Sequence, residues 1–114
     1  MKIWEMIDEL DVTVQEILKK VPRNEYKIRE QIDSASDSVE ANFIEGYYSG
    51  STKEYLRFLS YGRRSLGELR GRIRRLVPKE HLNEELFNKF ENQATLTMYF
   101  YDRPIDSLQK KSSK

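Results

Sequence analysis

The sequence predicts an all-α protein, an antiparallel up-down-up-down four-helix bundle. Three observations lead there. Apolar residues recur at three- and four-residue steps through four stretches of about 20 residues. A proline or a short polar turn separates each stretch from the next. No stretch shows the two-residue alternation of a half-buried strand. Connections of two to six residues make consecutive helices antiparallel neighbours. Such helices are marginal alone and hold their shape by burying their apolar stripes against each other.

The first helix is expected over Lys2–Lys20, where Ile3, Ile7, Leu10, Val14, Ile17 and Val21 form the stripe and Pro22 closes it. The second spans Asn24–Tyr47, with Ile28, Ile32, Ala35, Val39, Phe43 and Gly46 on one side and Asn24 as the cap. Tyr48-Ser49-Gly50-Ser51 is the turn, and Ser51 with Glu54 has the spacing of a capping box. The third helix runs on to Val77 through Tyr55, Phe58, Leu59, Gly62, Leu66, Leu69, Ile73 and Leu76, and Pro78 ends it. The fourth begins within Lys79–Asn83, using Leu82, Leu86, Phe90, Ala94, Thr97, Met98 and Tyr101, with Pro104 expected to end or kink it. The bundle is thus placed at residues 1–108 and a polar C-terminal tail at 109–114.

Composition narrows the function classes. With no cysteine there is no disulfide, thiolate metal site or thiol nucleophile. His81 is the only histidine, expected as an exposed residue near a helix start, and no catalytic triad, paired carboxylates, phosphate loop or repeated Glu-x-x-His motif accompanies it. No enzyme, metal or cofactor is expected. Glu5, Asp8 and Glu9 interrupt the first ten residues and no apolar run is long enough to span a bilayer, so a cytoplasmic, membrane-free protein is expected.

The formal charge of +1 conceals a strong asymmetry. Residues 1–50 carry 6 basic against 11 acidic side chains, whereas residues 51–77 carry 8 against 2. On a helical projection Lys53, Arg57, Arg64 and Arg75 fall opposite the apolar stripe of the third helix, with Arg63, Arg70 and Arg74 along one flank. Seven of the eight basic residues are arginines, which suit bidentate contact with phosphate or carboxylate. Two roles follow from this pattern: binding the phosphates of RNA or DNA, or pairing with Asp8, Glu16, Asp33, Asp37 and Glu40 of helices one and two in the same or a neighbouring subunit.

Three further sets of residues bear on packing. Gly62 lies on the core stripe, where it would admit another helix or the ring of Tyr26 or Trp4, while Gly67 and Gly71 lie beside the arginines. Ser38, Asn42 and Glu45 share one side of the second helix, positioned for a hydrogen-bond network with Ser65, Glu68 or an arginine that fixes register. Tyr47-Tyr48 and Tyr99-Phe100-Tyr101 are the aromatic clusters, read first as core or interface, and Trp4 as a subunit contact.

The succession Ser38-x-x-x-Asn42-x-x-Glu45-Gly46, a polar turn, Glu54-x-x-x-Phe58-Leu59 and Ser65-x-x-Glu68-Leu69 resembles the four-helix-bundle proteins named after 23S rRNA intervening sequences. Val21-Pro22-Arg23-x-Glu25-Tyr26 and Gln31 add to the likeness, which covers residues 20–77. The resemblance implies a homopentameric barrel. It also implies kinship with the accessory variability proteins of diversity-generating retroelements, which bind nucleic acid and a reverse transcriptase. It thus adds a protein partner to RNA or DNA as expected partners. Phe43-Ile44 and Tyr61-Gly62 depart from the family pattern, and the near-neutral total charge departs from the basic retroelement relatives.

Overall fold

The computed structural model describes residues 2–112. Four helices follow one another: α1 (Lys2–Lys20), α2 (Tyr26–Tyr47), α3 (Thr52–Arg74) and α4 (Glu84–Ser112). Side-chain contacts give their directions. Between α2 and α3, Gln31 meets Arg72, Ser38 meets Ser65, and Gly46 faces Phe58, so one number falls as the other rises. Arg70 with Glu91 and Arg63 with Asp102 give the same antiparallel register between α3 and α4. Each helix touches its two neighbours around the bundle, α1 on α2 and α4, α3 on α2 and α4, which leaves α1 diagonal to α3.

The core is built from the expected stripes. Ile7, Leu10, Val14 and Ile17 of α1 are buried with Ile32, Val39 and Phe43 of α2, Leu59, Leu66, Leu69 and Ile73 of α3, and Phe90, Ala94 and Tyr101 of α4. Ile28, Tyr55, Leu86 and Met98 line its margin. Tyr101 crosses the centre, where its hydroxyl donates to the Val39 carbonyl of the diagonal helix (3.3 Å). Gly62 makes this possible. A Cβ there would lie 3.0 Å from the Tyr101 hydroxyl, so the ring that approaches Gly62 belongs to Tyr101 and not to Tyr26 or Trp4.

The helix ends follow local rules with some departures. Ser51 caps α3 by accepting from the Glu54 amide (3.1 Å), but the Glu54 carboxylate turns to Arg57, leaving the box half made. Asn83 caps α4 by accepting from the Leu86 amide (2.8 Å). Asn24 is not the cap of α2. The Glu25 amide bonds back to the Pro22 carbonyl (3.0 Å), and this tight turn moves the helix start beyond Asn24. Arg29 instead secures the end of α1, donating to the Leu18 carbonyl and to the Val21 carbonyl at 2.8 Å. Bonds of this charge-assisted kind contribute about 1.5–3 kcal/mol.

α3 stops at Arg74 rather than Val77, because the next amides bond three residues back in tighter turns. The turns that follow close in a Schellman-like arrangement, with His81 N–H on the Leu76 carbonyl, Glu80 N–H on the Val77 carbonyl, and Glu80 in the left-handed region at φ 62°. Pro104 does not end α4. A proline removes one backbone donor, and buried Ile105 ties the following turn to the core. The helix therefore enters the segment assigned to the tail, continuing through Ser112, and the last two residues of that segment lie outside the described residues.

Candidate nucleic-acid interface

The α2–α3 seam orients α3. The Ser38 and Ser65 hydroxyls share a hydrogen bond of 2.7 Å, and the Asn42 amide donates to the Ser38 carbonyl and hydroxyl at 2.8 and 3.1 Å. Arg72 bridges Glu68 (3.2 Å) and Gln31 (2.9 Å) along the same seam. At its end Gly46 allows the closest approach, since a Cβ there would meet the Phe58 Cβ at 2.9 Å. Glu45 is exposed and stands outside this network. The set Ser38, Asn42, Gly46, Ser65 and Glu68 thus sets helix register and spacing.

With α3 fixed on one side by α2 and on the other by α4, its outer face carries the basic residues. From Lys53 to Arg75 the ridge extends about 33 Å along the axis. Three of the seven nominated side chains are engaged: Arg57 with Glu54 (2.7 Å), Arg63 with Asp102, and Arg70 with Glu91 (3.0 Å). Lys53, Arg64, Arg74 and Arg75 are exposed and make no ion pair among the described residues. Gly67 and Gly71 lie among them on the outer face, with open space where a Cβ would stand.

The acidic partners differ from those expected. The arginines of α3 pair within their own helix or with α4, not with Asp8, Glu16, Asp33, Asp37 or Glu40. Geometry explains the difference: Asp8 and Glu16 stand on α1, diagonal to α3, while Asp33 of α2 accepts from Gln15 of α1 (3.2 Å) and Glu40 faces Asp8 and Asp11 of α1 rather than α3. Glu16 pairs with Lys89 of α4 (3.4 Å) instead. Asp8, Asp11, Asp37 and Glu40 gather where α1 meets α2. Partial burial, then the neighbouring Asp8, Asp11 and Asp37 charges, push the Glu40 carboxyl above its ordinary range.

A family model for 23S rRNA-intervening sequence proteins matches residues 1–99. The chain belongs to this family. No curated protein and no solved structure matches it. Family membership extends well beyond the motif at residues 20–77 and takes in α1 and the first half of α4. Ser38, Asn42, Gly46, Ser65 and Glu68 lie along the α2–α3 seam just described.

The remaining candidates are structural in their surroundings. Trp4 packs edge-on to Phe43 (5.6 Å between centroids) and Tyr47 (5.5 Å), so much of its surface is covered within the chain. Tyr101 is core, whereas Tyr99 stays exposed. His81 is not the exposed residue expected: it is half-buried, with Nε2 3.3 Å from the Glu25 carboxylate of the α1–α2 connection. Among the described residues no group of three or more histidine or carboxylate side chains could hold a metal ion, and no helix is long and apolar enough to cross a membrane. Two features escaped sequence reasoning. Arg29 carries no signal beyond its charge, and Tyr61, read only as a departure from the family pattern, stands exposed beside Arg64.

Proposed function

We propose that the chain is a non-enzymatic, cytoplasmic, homo-oligomeric binding module that engages RNA or DNA through the outer face of α3. The observation that carries the reading is the row of four cations, Lys53, Arg64, Arg74 and Arg75, which make no ion pair among the described residues along about 33 Å of helix. Partly paired Arg57 and Arg63 lie exposed beside them and exchange an intramolecular carboxylate for a phosphate at small cost, since exposed pairs contribute only about 0–1 kcal/mol. The family's association with a 23S rRNA intervening sequence favours RNA first. The homopentamer and a reverse-transcriptase-like partner rest on family likeness alone.

Size exclusion with light scattering tests this reading. An oligomer that shifts with a structured RNA or a DNA duplex at low salt, and releases it as salt rises, is the expected result. Indifference to both at low salt would sink it.

A second reading has its own support: Asp8, Asp11, Asp37 and Glu40 gather where α1 meets α2. One copy could therefore dock its basic face on the acidic face of the next, a head-to-tail contact that closes into a ring. Gly67 and Gly71 would then permit close helix approach. Gly67→Leu together with Gly71→Leu separates the two readings. If the copies meet there, the oligomer dissociates with helicity intact. If the face is free for nucleic acid, the oligomer persists.

A further inference from the structure

Among the described residues most large apolar side chains left exposed are tyrosines, Tyr26, Tyr47, Tyr48, Tyr61 and Tyr99, against Val12 and Leu96 of the aliphatic ones. The fold thus covers its aliphatic groups and leaves aromatic rings in water. Tyr47, Tyr48 and Tyr61 lie in the half of the bundle toward the α2–α3 turn, and Tyr99 lies near its middle. Three of the exposed or margin rings carry a cation. Arg57 stands 5.1 Å from the Phe58 centroid, Arg64 6.0 Å from that of Tyr61, and Arg103 5.7 Å from that of Tyr99.

We propose that Tyr61, between Arg57 and Arg64 on α3, is a stacking position for an unpaired base of single-stranded RNA. This rests on the reading that α3 binds nucleic acid and names the form of nucleic acid and a residue that reads it. The ring is 40% exposed yet braced, edge-on against Phe58 at 6.0 Å. A braced ring loses little freedom when a base settles on it. Arg57 and Arg64 lie one turn to either side, about 10 Å apart along the axis, so cations flank the ring where the phosphates of a stacked nucleotide run. Lys53 extends this positive stretch toward the turn, with Glu54 the one carboxylate of α3 in it. Charge complementarity and an aromatic face therefore coincide.

A cationic ridge alone accepts duplex and single strand alike, because both present phosphates. An exposed ring adds affinity only where bases are unpaired, and every base has a face to offer it. RNA, whose loops and ends present such bases, is the occupant that fits.

The test is fluorescence anisotropy at low salt with the full chain. The probes are a short oligo(U) RNA, a blunt RNA duplex of equal length and an oligo(dT) of equal length. Tyr61→Ala is expected to weaken oligo(U) binding by about 5- to 100-fold and leave duplex binding within about twofold. Tyr61→Phe should keep the affinity. Tyr61→Leu preserves an apolar contact with Phe58 without a π face, and should reproduce the alanine loss even if the alanine variant folds poorly. Unchanged oligo(U) binding by the alanine and leucine variants, with loss in Arg64→Glu, would overturn stacking and leave the electrostatic reading standing. No binding of any probe by the unaltered chain would overturn both. Tighter binding of oligo(dT) than oligo(U) would overturn the assignment to RNA.

Discussion

Phe43→Ala is expected to lower the stability of the bundle by about 3–5 kcal/mol, the range for removing a fully buried phenylalanine. Phe43 is 0% exposed. It sits toward the α2–α3 turn, edge-on to Trp4 at 5.6 Å and roughly parallel to Tyr47 at 6.1 Å. Alanine there removes the apolar area and leaves a void that Trp4, held from α1, cannot close without bending its helix. Small domains have only about 5–15 kcal/mol in total, so this loss takes up a large share. Urea unfolding followed by helical circular dichroism checks the size. Trp4, the sole tryptophan, reports the same transition by fluorescence because its ring touches the altered site. A loss below about 1 kcal/mol, with unchanged Trp4 emission, would mean that α1 and α2 do not meet as described.

The buried stripe was legible because a helix of the bundle must turn the same side inward at every turn, so period alone marks Ile32, Val39, Phe43, Leu59, Leu66 and Phe90. What was not legible depended on relations between helices. The partner of Gly62 is Tyr101 across the core, and nothing in the spacing of α3 indicates which ring of which helix will arrive. The partners of Arg63 and Arg70 are on α4 because adjacency around the bundle decides reach, and charge totals along the chain carry no such information. Local signals also failed where a residue acted against type. Pro78 flagged a stop after α3, but Glu80 adopts the left-handed conformation usually given to glycine or asparagine, so nothing in the sequence marked the form of the turn that follows. Pro104 reads as a terminator, yet the burial of Ile105 one residue later carries the helix through it.

Position within the bundle also decides which charge reversals are informative. Arg70 is a poor choice: its guanidinium meets the Glu91 carboxylate at 3.0 and 3.4 Å, partly shielded from solvent. Glutamate there would set two carboxylates together and loosen the α3–α4 seam, so any lost binding would be mixed with lost fold. Arg64 and Arg75 have no such partner among the described residues. Arg64→Glu combined with Arg75→Glu is expected to leave helicity and thermal midpoint nearly unchanged and to weaken nucleic-acid binding by at least about 100-fold at low salt. Each lost phosphate contact on duplex DNA should also lower the slope of log affinity against log salt by about 0.9, so the double variant loses about 1.8. The slope matters more than the affinity. A general drop in affinity with an unchanged slope would come from a disturbed fold or oligomer, whereas a reduced slope counts phosphates no longer touched. If instead the double variant breaks the oligomer, and the unaltered chain shows no salt-dependent binding to lose, the free cations of α3 belong to the acidic face of the next copy.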